Sequence, residues 1–170
     1  YFDGNDVGFD QYLFAIQTDP VTKLVYCAGA TNRQISTSST PYNADGYLNT
    51  ISGLTGTQRV AIVYSLSSDG ADLVDMTLFG PNSVVTGNNV VAYALSLSAN
   101  RVYIGGRTNV VIPTPGSPFD GSINNGTAGN GDGFVAVFSK DLGTLHYATY
   151  LGSDNNETRG VTSIRAISDN

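Results

Sequence analysis

Val25-Tyr26-Cys27-Ala28-Gly29-Ala30-Thr31-Asn32 and Val102-Tyr103-Ile104-Gly105-Gly106-Arg107-Thr108-Asn109 are one octet written twice, 77 residues apart and identical at five positions. Self-similarity at a fixed spacing marks a repeat architecture and outweighs any single residue in deciding the fold. Landmarks further along return in the same order. Thr40-Pro41, Asp45-Gly46 and Leu48-Asn49 are answered by Thr114-Pro115, Asp120-Gly121 and Ile123-Asn124. Val63-Tyr64-Ser65 aligns with Val137-Phe138-Ser139 at an offset of 74, and Thr77-Leu78-Phe79-Gly80 with Thr149-Tyr150-Leu151-Gly152 at an offset of 72. One unit has been used twice, over 12–80 and again over 90–152.

Each unit reads as four short strands. The first is Tyr12 to Thr18 or Val91 to Leu97, where apolar residues alternate and β-branched and aromatic residues dominate without a helical stripe. Turns at Asp19-Pro20 and Ala99-Asn100 lead into the second strand, Leu24 to Ala30 or Arg101 to Arg107, whose Gly29 and Gly106 permit close backbone approach. A long polar connection follows, with too many Gly and Pro breakers for a helix. The third strand is Arg59 to Leu66 or Gly133 to Ser139, and the fourth is Asp72 to Phe79 or Thr144 to Leu151. Between them, Ser68-Asp69-Gly70 and Lys140-Asp141-Leu142-Gly143 supply the positive φ of a tight hairpin.

Four antiparallel strands per repeat with no intervening helix predict an all-β chain of two four-stranded antiparallel propeller-type blades, part of a larger propeller or array. The alternative is a β-sandwich of eight or nine strands, which does not require its halves to repeat in order. The ends follow the same pattern. Tyr1-Phe2 and Asp3-Gly4-Asn5-Asp6 resemble Tyr150-Leu151 and Gly152-Ser153-Asp154-Asn155, so 1–11 reads as the tail of a preceding unit and a linker. Ile164 to Asn170 matches Ala94 to Asn100, so 161–170 reads as the opening strand of a third unit. The expected partners are therefore the remaining blades of the same polypeptide or neighbouring copies, which would cover Phe2, Ile164 and Ile167.

Charged residues make up 13% of the 170, against about 25% in a typical soluble domain. With a net charge of −6, this argues against phosphate binding and against a nucleic-acid partner. No apolar window is long enough for a membrane span. The single cysteine, Cys27, stands where the other unit has Ile104 and reads as a small core hydrophobe, with Tyr26 and Tyr103 on the opposite face.

Carboxylates are the groups to weigh for catalysis. Asp69, Asp72 and Asp75 are near one another in sequence, but the second unit has Thr144 and Tyr147 at the last two places, which marks them as solvated surface positions. Calcium is the stronger alternative, because Asp3, Asn5 and Asp6 and then Asp154, Asn155 and Glu157 occupy equivalent oxygen-rich loops between units. Turn-forming Asx chemistry is the plain reading of the same residues, so no cofactor is required. Asn125 and Asn156 head glycosylation sequons in predicted loops. The opening strands line the channel of a propeller, and they offer Gln17, Asp19, Arg165 and Asp169 to a glycan there.

The second unit resembles the bacterial β-propeller repeat abbreviated SBBP. The resemblance rests on Val102-Tyr103-Ile104-Gly105-Gly106-Arg107-Thr108-Asn109, Pro113-Thr114-Pro115-Gly116, Asp132-Gly133-Phe134-Val135-Ala136-Val137-Phe138 and Leu145-His146-Tyr147-Ala148-Thr149-Tyr150-Leu151-Gly152, in the family's order. The first unit lacks the Asp-x-Phe-Val signature at Gln58 to Val63. The resemblance implies an extracellular or cell-surface propeller and transfers no catalytic residue. The function expected is that of a non-enzymatic structural or adhesive module in a surface protein or filament. Its rival is a propeller that binds or cleaves glycans.

Overall fold

Alternating Val, Ile, Ala and Tyr become eight strands in the computed structural model, which describes residues 11–32, 51, 54, 56–84, 86–123, 131–152 and 160–167. They are β1 (Gln11–Thr18), β2 (Val25–Thr31), β3 (Val60–Leu66), β4 (Leu73–Phe79), β5 (Val90–Leu97), β6 (Arg101–Thr108), β7 (Asp132–Ser139) and β8 (Leu145–Leu151). No helix occurs among the described residues. The strands form two antiparallel meanders, ordered β1-β2-β3-β4 and β5-β6-β7-β8.

The two sheets repeat in register. Leu13 pairs with Gly29 and Ala92 with Gly106, and in both sheets the next pair skips one residue, leaving Phe14 or Tyr93 bulged. A second irregularity falls between Ser65 and Leu66 and again between Val137 and Phe138. Glycine opposite the first bulge is a steric requirement. A Cβ on Gly29 would lie 1.8 Å from the Tyr12 carbonyl oxygen, and one on Gly106 would lie 1.9 Å from that of Val91. The close approach expected at these two glycines is therefore present in both units.

One alignment is corrected. Val63 pairs with Ala28, and Val135 with Gly105, so the third strands correspond at an offset of 72 rather than 74. A slip of two residues keeps every side chain on its face, and for that reason the alternation could not reveal it.

The turns after β3 and β7 share one hydrogen-bond set. Ser67 Oγ donates to Asp69 Oδ1 and accepts from the Asp72 amide at 2.9 Å. Likewise Ser139 Oγ donates to Asp141 Oδ1 and accepts from the Thr144 amide at 3.0 Å. The left-handed position is Gly70 (φ 73) in one turn and Leu142 (φ 56) in the other. Leu142 is fully buried, so its packing offsets the strain of a side chain at positive φ.

The sheets stack through one core. Its first half is a single face of sheet 1, namely Tyr26, Ala28, Ala61, Val63 and Phe79. The second half is the opposite face of sheet 2, where Val102, Ile104, Phe134, Ala136, Phe138, Ala148 and Tyr150 lie. Phe79 meets Phe134 at 5.2 Å and Phe138 edge-on at 5.7 Å between centroids, contacts worth about 0.5–1.5 kcal/mol beyond area burial. Cys27 and Ile104 are both buried, as expected, but in different cores. Ile104 faces sheet 1, whereas Cys27 faces away from sheet 2, on the side of a second core of Ile51, Val60, Ile62, Met76, Leu78 and Val84. Equivalent residues thus point the same way along the stack, and the sheets pack head to tail.

The connections are not merely polar surface loops. Ile51 enters the second core and Ile112 the shared one. Residues 109–123 run along β8, where the Tyr150 amide donates to the Asp120 carbonyl at 3.1 Å and the Ile112 amide donates to the Tyr150 hydroxyl at 2.7 Å. An outer strand that would otherwise present unpaired groups is covered. Residues 160–167 form no strand. They lie on the face of sheet 2 away from sheet 1: the Val161 amide donates to the Gly106 carbonyl at 3.0 Å and the Ala166 amide to Ser96 Oγ at 2.9 Å.

Candidate functional site

The oxygen-rich loops proposed for calcium (Asp3, Asn5, Asp6; Asp154, Asn155, Glu157) and the sequons at Asn125 and Asn156 lie outside the described residues. Among the described residues no three His, Cys, Asp or Glu side chains gather to hold a metal. No helix there is long and apolar enough to cross a membrane.

The acidic residues of the fourth strand separate. Asp69 and Asp72 are exposed, Asp69 closing its own turn with Ser67 and the Ala71 amide. Asp75 is buried, contrary to the expectation of a solvated position, and its amide and carboxylate both meet Ser65 Oγ. The Ser65 pairing, invisible in the strand pattern, makes that burial tolerable. Of the expected channel residues, Gln17 and Asp19 are engaged. Gln17 Oε1 accepts from the Leu97 amide at 3.1 Å across the sheet interface. Arg165 is exposed, and Asp169 lies outside the described residues.

Asp19 forms a polar latch between the sheets. Its Oδ1 caps the turn by accepting from the Val21 amide at 2.8 Å, and its Oδ2 meets Lys140 Nζ of the other sheet at 2.5 Å. Burial pushes the Asp19 carboxyl up, but the Lys140 ammonium and the turn amides outweigh it and hold the pKa at about 2. The Tyr26 hydroxyl donates to the Lys140 carbonyl at 2.9 Å. Burial, with Asp75 nearby, pushes that phenol up to about 12. Burial likewise pushes the Cys27 thiol up, against the lowering effect of its hydrogen bond with Tyr64.

Sequence reasoning missed a cleft. Arg59, Asn89, Val91, Tyr93, Arg107 and Asn109 line a cavity of about 220 Å³ where the start of β3 meets the start of β5 and the end of β6. Its floor is built by backbone: the Arg59 amide donates to the Asn88 carbonyl, and the Val90 amide to the Arg59 carbonyl, at 3.0 and 2.8 Å. Asn109 joins the rim by accepting from the Asn89 amide at 2.7 Å and donating to the Gly87 carbonyl at 2.9 Å. Arg59 lies over the Tyr12 ring at 4.6 Å and donates to its hydroxyl. Arg107 Nε is buried without a hydrogen-bond partner. Among the described residues no carboxylate comes within ion-pair distance of either guanidinium. A signal existed in the repeat itself. Arg107 stands where the first unit has Ala30, and Arg59 where the second has Gly131, so both cations depart from the pattern.

No protein-family model matches the sequence, and no curated protein matches it either.

Proposed function

We propose that the two sheets are adjacent blades of a β-propeller, and that the chain serves as a non-enzymatic structural and adhesive module of an extracellular or cell-surface protein. The head-to-tail stacking carries this reading. A sandwich made by folding two like sheets together would bring equivalent faces into contact, whereas here Tyr26 and Ala28 of one unit meet the face bearing Val102 and Ile104 of the next. That interface is heterologous, so a further unit can stack in the same way on the open rear of sheet 1, while residues 160–167 lie over the front of sheet 2. Leu13 and Ile16, on the rear face of β1, are 51% and 66% exposed. The repeat motifs shared with SBBP-type propellers and the low charge support the same setting.

Cross-linking of single-cysteine variants in a Cys27→Ala background tests the proposal. Ile16→Cys on the rear face and Thr162→Cys beside the front face should form a mixed disulfide on oxidation at high concentration, in preference to either self-pair. Rear-to-rear disulfides as the dominant product would overturn the head-to-tail reading and restore the sandwich.

A further inference from the structure

We infer that the cleft between Arg59 and Arg107 is a binding site for a small hydroxylated carboxylate, a sugar acid. Eight of the 170 residues are Lys or Arg, and the chain is net acidic. Two of those eight line one cavity without a carboxylate partner among the described residues. A charged group that is partly withdrawn from water and left unpaired costs free energy, and Arg107 Nε is withdrawn completely. An oxyanion in the cavity balances the charge of the two guanidinium groups that line it. Arg is the residue suited to bind it, because a planar fork matches the two oxygens of a carboxylate.

The remaining groups narrow the class. The Asn89 side chain donates to the Gly87 carbonyl at 3.0 Å, while its oxygen accepts nothing among the described residues. The Tyr93 hydroxyl has no partner among the described residues either, and the edge-on contact of its ring with Phe14, at 5.2 Å, holds it at the cleft wall. An amide oxygen asks for a hydroxyl donor, which a simple carboxylate lacks and a sugar acid provides. Val91 and the Tyr93 ring add one apolar wall, against which a sugar ring packs. At about 220 Å³ the cavity falls below the ~300–1,000 Å³ of drug-sized pockets, which suits a single ring rather than a chain. The site is unique to the junction of the two units, since its arginines are not repeated. It stands whether or not further blades exist.

Calorimetric titration of the full chain with glucuronic acid, glucose and acetate tests the inference, with Arg107→Gln and Arg59→Gln as variants and circular dichroism melts as the folding control. Glucuronate should bind saturably. Raising the salt from about 20 to 300 mM should weaken it several-fold, because guanidinium–carboxylate attraction is screened. Glucose should not bind, acetate should bind at least about tenfold more weakly, and each variant should lose about tenfold in affinity. Arg59 is exposed, so its variant tests the site even if Arg107→Gln does not fold. Absence of glucuronate binding, or unchanged affinity in folded variants, would overturn the site. Acetate binding as tightly as glucuronate would overturn the sugar acid.

Discussion

β1 and β5 are the same strand of the repeat, with the same bulge at the same place, yet they live in different surroundings. In β5, Val90 and Ala92 are fully buried, with Leu95 packed against the shared core. In β1, Leu13, Phe14 and Ile16 are exposed. Leu13 and Ile16 are at least as large and apolar as Ala92 and Leu95 at the equivalent places, so the difference lies in what stands behind each strand. Sheet 1 covers the rear of β5, and no other sheet among the described residues covers the rear of β1. Strand formation is thus local to the unit, whereas burial is a property of the stack.

The largest effect should come from the face the sheets share. Phe134→Ala removes a fully buried ring that packs on Phe79, and should cost about 3–5 kcal/mol. Because that ring joins the two sheets, urea denaturation followed by circular dichroism should still show a single transition at a lower midpoint. Two resolved transitions would mean that the sheets unfold independently, which would break the comparison at its root.

Gly29→Ala and Gly106→Ala should each cost about 3 kcal/mol, because in both units the new Cβ would collide with a carbonyl oxygen and the bulge would have to move. Equal losses in the two variants would sharpen the equivalence of β1 and β5. A mild loss at Gly29 alone would show that the exposed strand yields where the buried one cannot.

At the junction, stability depends on the Asp19 carboxylate. Its folded pKa of about 2 lies below the ordinary 3.8, so the stabilisation is complete above pH 4 and fades as pH falls through 2. Melting temperature measured between pH 5 and pH 2 should drop more steeply in the parent than in Asp19→Asn. Superimposable profiles would show that the latch carries nothing.

The two turns offer a smaller test. Gly70→Ala places a side chain at φ 73 with no neighbour to compensate, and should cost about 1 kcal/mol. The smallest effect should be that of Ile16→Ser, within about 0.5 kcal/mol, while Leu95→Ser at the equivalent place should cost several times more. Comparable losses would mean that β1 is covered in solution.

Four strands per unit, the glycines opposite the bulges and the positive φ at Gly70 were legible because each is local. Alternation reports strands, and a missing Cβ reports close approach. The burial of Asp75 was not legible, since its acceptance depends on Ser65, ten residues away on the neighbouring strand. Nor was the packing role of the polar connections, where single residues such as Ile51 and Ile112 are diluted among breakers. The arginine cleft escaped because Arg59 and Arg107 are 48 positions apart in different sheets.

By itself the sequence determined the repeat, the all-β class and the positions of the hairpins, since each follows from side-chain period and backbone freedom within a few residues. Only the tertiary structure decided the register of the third strands, which face of each sheet meets the other, and the convergence in one cavity of two arginines that have no carboxylate partner among the described residues. Those are contacts between segments far apart in the chain, set by shape and desolvation across an interface that local alternation leaves open.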